Sequence, residues 1–353
     1  MERVYNFSPG PAALPISVLE KAQRELCSYG STGMSVMEMS HRSKMYLDIF
    51  EGAVAQLRKL MGIPADYTVL FLQGGATQQF AAVPLNLGGT PDYVDSGNFA
   101  RGALKEAQKY GEVHVAGDSS GDNYTHIPET NFRPDASFAH ITTNNTIFGT
   151  RWPELPDTGA VPLVTDMSSN ILSEVYDVNR FGVIYAGAQK NIGPAGVTAV
   201  IIRNDLLGRA RKDCPKVMNW KAQTDAESML NTPSTYAVYV AGLCLDWLAE
   251  QGGVAAIEKV NIEKAKLLYD FIDNSTMYTN KVLPEHRSRM NVVFTTPTKE
   301  LDDQFAKEAG KAGLANLKGH RLVGGMRASI YNAMPIEGVR ALIDFMKKFE
   351  QEH

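Results

Sequence analysis

The sequence predicts an α/β protein, with a largely parallel β-sheet covered by helices and a smaller α+β unit after it. Two patterns carry this. Between residues 68 and 202, short apolar, β-prone runs alternate with segments of helical periodicity, and near residue 256 that alternation gives way to a different texture. At 353 residues the chain is also too long for one small domain and long enough to bury a large core.

Residues 4–15 read as an extended arm, because Pro9, Pro11 and Pro15 exclude regular helix. Helical periodicity covers 16–29 and 46–61, the second segment stopping before Gly62 and Pro64. A strand over 68–72 leads into Gly74-Gly75-Ala76-Thr77, which opens a helix running to about 83. A strand at 91–94, a helix at 99–110 and a strand at 113–116 follow. Short strands then recur at 139–142, 161–165, 183–186 and 197–202. Long helices over 235–251 and 257–272 come next. Strands at 289–295 and 326–330, a helix at 301–312 and a terminal helix at 336–349 make up the second unit. No internal repeat or low-complexity segment interrupts the chain.

A net charge of −4, from 35 basic against 39 acidic residues, gives no reason to expect nucleic acid or an acidic membrane as partner. Cys27, Cys214 and Cys244 are scattered without CxxC spacing, so neither a zinc site nor a disulfide framework is indicated. Glu2 and Arg3 precede a Pro-rich turn rather than an apolar signal segment, and no apolar run approaches the ~18 residues of a membrane helix. A soluble cytoplasmic protein without bound metal is expected.

The chemistry concentrates in Val183–Gly196, VIYAGAQKNIGPAG. A β-prone run ends in small residues and then presents Lys190, between Gln189 and Asn191, before a Gly-rich bend. Burial there would lower the lysine pKa and leave free amine for a Schiff base. Upstream, Asp166 ends a second apolar run and precedes Ser168 and Ser169. A lysine to hold an aldehyde and an aspartate to pair with a protonated pyridine nitrogen suit pyridoxal 5′-phosphate. Alone, Lys190 reads as a surface charge and Asp166 as a turn or cap residue. Their order and spacing together point to the cofactor class.

Gln73-Gly74-Gly75-Ala76-Thr77 places glycines between a strand and a helix start, where backbone N–H groups and the Thr77 hydroxyl suit a phosphate. It is neither a Walker loop nor a dinucleotide fingerprint. Phe99 sits at the next strand-to-helix junction and reads equally well as a core aromatic or as a stacking surface. Arg42 beside His41, Arg321 beside His320, and Arg327 are candidates for holding acidic substrates, each with a surface ion pair as its alternative.

The wording NFSPGPAALP, MSHRS, DMSSNILS, YDVNRFGVIYAGAQKNIGPAGVT, NTPSTY, GHRLVGG and GGMRASIYNAMPIEGV resembles the phosphoserine aminotransferase family, from the first ten residues to the last twenty. The resemblance implies the fold type I architecture of class V aminotransferases. That means a large domain over 16–255 with a mostly parallel, seven-stranded-type sheet, and a small domain of 256–353 joined by the arm 1–15. It implies glutamate and 3-phosphohydroxypyruvate as substrates, and it allows 4-phosphooxy-L-threonine as a further product. It also implies that Ala76, Thr77, Phe99, Thr146, Ser168 and Gln189 surround a cofactor held by Lys190 and Asp166, Thr146 through the ring's phenolic oxygen. Asn231 and Thr232 would reach the cofactor phosphate of a neighbouring subunit in a homodimer. Arg327 would grip the α-carboxylate. His41 and Arg42, with His320 and Arg321 from the partner, would meet the distal phosphate or carboxylate. Two positions depart from many relatives: Phe99 replaces tryptophan, and Thr77 replaces an arginine found in some.

Rival readings within the cofactor class are a serine–glyoxylate aminotransferase and a cysteine desulfurase, the latter needing a nucleophilic cysteine on a mobile loop. A non-catalytic cofactor-binding regulator is the rival from another class. A nicotinamide dehydrogenase lacks its glycine fingerprint.

Overall fold

The computed structural model describes residues 3–353, so the first two residues of the expected arm lie outside the described residues. The chain begins with β1 (Tyr5–Asn6), α1 (Ile16–Arg24) and α2 (Lys44–Met61). It continues through β2 (Tyr67–Leu72), α3 (Gly75–Leu87), β3 (Asp92–Asp95), α4 (Asn98–Ala107) and β4 (His114–Asp118). Next come β5 (Ala139–Thr142), a small hairpin of β6 (Asn144–Asn145) and β7 (Thr150–Arg151), then β8 (Leu163–Asp166), β9 (Val183–Gly187) and β10 (Thr198–Arg203). Helices α5 (Trp220–Asp225), α6 (Thr235–Glu250) and α7 (Val254–Asn274) follow. The chain closes with β11 (Asn291–Phe294), α8 (Lys299–Lys311), β12 (Leu314–Ala315), β13 (Met326–Ser329) and α9 (Ile336–Glu352).

Seven strands form the main sheet in the order β2-β10-β9-β8-β5-β3-β4. Every neighbouring pair is parallel except the two made by β10, which runs antiparallel to both β9 and β2. Chain length explains the exception. A parallel crossover needs a dozen or more residues, usually a helix, and the β9–β10 connection at 188–197 is too short for one. Lys190 lies in that connection.

The expected helix at 16–29 stops at Arg24, since the Tyr29 N–H turns across to the Met34 carbonyl at 2.9 Å and Gly30 takes φ +53°. Helix α3 runs beyond the expected end at 83, through Pro84 to Leu87, and its last turn closes on the Pro84 carbonyl from the Gly88 N–H at 3.0 Å. The hairpin β6–β7, helix α5 and the two-residue strands β1 and β12 are too short to leave a periodic signal.

Apolar side chains gather on both faces of the sheet. One cluster lies under α1, α2 and α6, the other beneath α3 and α4. A third cluster gathers around β11, β13, α8 and α9. Helix α7 joins two of these: Val254 and Ile257 pack in the first, whereas Ala265, Leu268, Tyr269 and Ile272 pack in the third. The arm sides with the third, because β1 pairs in parallel with β12 and Phe7 is fully buried there. Among the described residues no helix is long and apolar enough to cross a membrane.

The lysine loop is pinned against α6 at Gly193. A Cβ there would lie 2.8 Å from the Cα of Ala241 and 3.0 Å from its Cβ, and backbone cannot swing away as a flexible side chain does. Gly193→Ala is therefore expected to lower stability by about 1–3 kcal/mol in urea unfolding, through overpacking at this crossing.

Candidate active site

Strand β9 is buried at every residue and delivers the chain to a tight connection. Within it the Gly193 N–H donates to the Ala188 carbonyl at 2.8 Å, and the Ala188 N–H to the Val197 carbonyl at 2.9 Å. This geometry turns Lys190 inward, where the residue is 9 % exposed and its Nζ donates to Thr146 Oγ1 at 2.7 Å. Burial pushes the Lys190 amine down to about 8; Asp166 opposes that shift and Arg327 adds to it. The result is a lysine with free amine near neutral pH.

Asp166 is the last residue of β8, and its Cα pairs with Tyr185 of β9. Its Oδ1 accepts the Ser168 N–H at 2.9 Å, while Ser168 Oγ accepts the Gly187 N–H at 3.0 Å. Burial raises the carboxyl pKa, and the Ser168 bonds and Lys190 pull it back. A buried carboxylate in this state is stabilised by any cationic N–H brought to it.

Helix α3 begins at the cavity. Gly74, its N-cap, has φ +91° and Gly75 has φ +69°, left-handed values that strain any other residue type. Gly75, Ala76 and Thr77 line the cavity at a helix start, whose first N–H groups lack intrahelical partners and favour an anion. Phe99, in the first turn of α4, is 37 % exposed, with Lys190 Nζ 5.5 Å from its ring centroid.

Arg327 comes from β13 in the C-terminal part. It is buried, its Nη1 donates to the Thr146 carbonyl at 3.4 Å, and its Nε has no hydrogen-bond partner among the described residues. Burial lowers its pKa, while Tyr331 acts the other way. A guanidinium left with a buried, unused donor is suited to an incoming carboxylate. His320 also lines the cavity; burial, then Arg327 and Arg321, push it towards the neutral imidazole.

These groups enclose about 280 Å³. Of the residues singled out in the sequence, Ala76, Thr77, Phe99, Thr146, Asp166, Ser168, Gln189, Lys190, His320 and Arg327 line this space. His41, Arg42, Asn231, Thr232 and Arg321 do not. His41 is half-buried, the other four are exposed, and Asn231 Nδ2 donates to Gln73 Oε1 at 3.0 Å. His320 thus borders the cavity of its own chain, whereas the resemblance implied a contribution from a partner.

Sequence reasoning missed Pro9, Gly10, Thr142 and Asn144 as lining residues. The arm forms a wall: the Ala12 N–H donates to the Gln189 carbonyl at 2.8 Å, and a Cβ on Gly10 would sit 3.5 Å from Lys190 Cγ. Asn144 carried a signal, as one of several polar residues following the buried strand β5. Among the described residues no cysteine lines the cavity, and burial pushes the Cys244 thiol up to about 12, which disfavours the desulfurase reading.

Comparison with known proteins agrees with this geometry. Residues 4–342 match the model of the family described as aminotransferase class-V. A phosphoserine aminotransferase of Bacillus cereus is 54 % identical, over 100 % of both chains. The solved phosphoserine aminotransferase of Bacillus circulans subsp. alkalophilus is 46 % identical and superposes with a TM-score of 0.97, over 100 % of this chain and 99 % of that one. The PLP-bound phosphoserine aminotransferase from Trichomonas vaginalis is 38 % identical with a TM-score of 0.95, over 98 % and 100 %. A buried, amine-bearing connection in this sheet, matched over its whole length, means that the chain belongs to the class-V aminotransferase family and, within it, to the phosphoserine aminotransferases.

Proposed function

We propose that this protein transfers the amino group of L-glutamate to 3-phosphohydroxypyruvate, giving O-phospho-L-serine and 2-oxoglutarate, with pyridoxal 5′-phosphate as cofactor. The observation that carries the reading is the buried Lys190 amine, in one cavity with Asp166 and Arg327, in a chain of this family. The residues present fit the cofactor: a depressed lysine, a buried carboxylate, a glycine-built anion cup and an open aromatic face. When bound, pyridoxal phosphate supplies an electron sink that stabilises negative charge at the substrate α-carbon.

The chain's own residues divide the remaining work. Lys190 Nζ would take the aldehyde and, as free amine, serve as the base for the proton on the substrate Cα. Asp166 would keep a proton on the pyridine nitrogen. The Gly75, Ala76 and Thr77 end of α3, with Ser168 and Gln189, would hold the phosphate, and Phe99 would stack on the ring. Thr146, whose hydroxyl already meets Lys190 Nζ, would also face the phenolic oxygen. Arg327 would orient the α-carboxylate.

Both substrates carry a second acidic end, and among the described residues Arg327 is the one arginine lining the cavity. His41 and Arg42, with His320 and Arg321, would supply the further cationic contacts in a homodimer, where Asn231 and Thr232 would reach the neighbouring subunit's cofactor phosphate. The domain division proposed is 16–255 against 1–15 with 256–353, supported by the separate apolar clusters that meet along α7. A cytoplasmic location suits a biosynthetic transaminase.

Acceptor preference tests the substrate. Protein charged with glutamate should return to its starting absorbance much faster with 3-phosphohydroxypyruvate than with hydroxypyruvate or glyoxylate. Equal rates would overturn the phosphorylated substrate while leaving the cofactor chemistry standing. Lys190→Ala should lose at least about 10³-fold in kcat, because base and attachment point go together. Arg327→Ala should raise KM for glutamate roughly 100-fold, the scale of ~3 kcal/mol for an unpaired buried charge contact.

The Lys190 amine has its own pH signature. Only the neutral amine attacks an aldehyde, so trapping of pyridoxal on cofactor-free protein by borohydride should rise with pH through a midpoint near 8, not 10.5. Asp166 favours the charged form, so Asp166→Asn should move that midpoint lower; an upward move would contradict the assigned electrostatics.

A further inference from the structure

One buried charge has no part in this chemistry. Lys264, in the middle of α7, is fully buried, and no carboxylate pairs with it among the described residues. Its Nζ meets three backbone carbonyls instead: Ile330 at 3.0 Å, Tyr331 at 2.8 Å and Met334 at 3.0 Å. Burial alone pushes this lysine down to about 7. The carbonyls act the other way, since an ammonium has one N–H for each, whereas a neutral amine would turn its lone pair on one of them.

The turn over 330–334 directly follows β13, which carries Arg327. Two side chains of this turn lead back to Lys190. The Tyr331 hydroxyl donates to the Pro9 carbonyl at 2.7 Å and accepts from Asn291 Nδ2 at 3.0 Å, fixing the arm beside the position where Gly10 packs on Lys190. The Asn332 N–H donates to Asn191 Oδ1 at 3.0 Å, on the residue after Lys190, and Asn332 Nδ2 donates to the Leu172 carbonyl at 2.9 Å. Asn261, one turn before Lys264 on α7, donates to Asn332 Oδ1 at 2.9 Å.

We propose that Lys264 is a positioning residue, whose ammonium clamps the 330–334 turn so that Tyr331 holds the N-terminal arm over Lys190 and Asn332 holds the lysine loop. The clamp acts on the desolvation of Lys190. Loosening the arm admits water to the amine and moves its pKa back towards that of a free lysine. The groups facing Lys190 itself are Asp166 from β8, Thr146 from the segment after β6, and Arg327 from β13, and all stay in place in the test below.

The inference rests on Lys190 being the amine that takes an aldehyde, and the experiment separates the two. In the parent protein freed of cofactor, pyridoxal trapping with borohydride and peptide mapping must label Lys190; failure there sinks the functional reading. Lys264→Met, which keeps the length and loses the donors, should then raise the trapping midpoint by about one unit. It should also lower kcat roughly tenfold at little changed KM for the phosphorylated acceptor. The control is Phe349→Leu, a core change on α9 remote from the turn that lowers Tm without touching the clamp. If Lys264→Met moves the midpoint no further than Phe349→Leu does at equal loss of Tm, Lys264 is structural only and the proposal falls. Should Lys264→Met not fold, Tyr331→Phe removes the hydroxyl that links Pro9 to Asn291 while keeping the ring. It should raise the midpoint in the same direction, and an unmoved midpoint overturns the proposal equally.

Discussion

The burial of one amine is the constraint on which the rest of the structure depends. A lysine held at about 8 instead of 10.5 has lost about 3 kcal/mol of preference for its charged form. Sustaining that loss requires a wall on every side. The sheet supplies the floor, the arm a side wall at Gly10, and Thr146 a hydroxyl oxygen to which the Lys190 amine donates. Asp166 and Arg327 act on the amine with opposite sign, so removing either one shifts it in a known direction.

Topology makes such a wall possible. Because the β9–β10 connection is too short for a helical crossover, β10 returns antiparallel and the loop lies across the strand ends instead of leading into a covering helix. At the end of β8 the chain carries a carboxylate, and at the start of α3 it carries a glycine cup. Both lie where a parallel sheet ends and the helices begin, the usual location for ligands in α/β folds. Strand β13 brings Arg327 from a separate apolar cluster, so the site is assembled from two cores.

Much of this was legible in the sequence because it rests on local patterns. The strand ending in small residues before Lys190, the aspartate closing β8 and the glycine pair before α3 each have a backbone reason to exist. The antiparallel β10 was not legible from periodicity, which reads strands but not their direction. The role of the arm as a cavity wall was hidden for another reason: its prolines showed only that it was not helical, and its contacts with Gln189 and Tyr331 span long stretches of chain. Residue types also cannot distinguish a cation facing its own cavity, as His320 does, from one exposed beside it, as Arg321 is. The difference lies in the turn between β12 and β13.

The seam between the two cores is built from neutral polar groups, and that choice has a consequence for the amine. Asn144 Nδ2 donates to Ser169 Oγ and to Asn291 Oδ1, both at 2.8 Å, while Asn144 Oδ1 accepts from Ser288 Oγ at 2.5 Å. Asn291 passes the network on to Ser329 and Tyr331. Hydrogen bonds of this kind are directional, so they fix the register of β11 and β13 against β6 and the segment after β8 in a way that apolar packing alone would leave looser. Ion pairs at the same place would fix it as well, but each would add a charge close to Asp166, Lys190 and Arg327, in surroundings that screen charge poorly. The charged contact between the two parts lies instead at Glu174 with Arg289, flanked by Arg151 on one side and Glu258 on the other, and none of these four lines the cavity. A neutral seam thus holds Arg327 in place while leaving the pKa of Lys190 to the groups that face it.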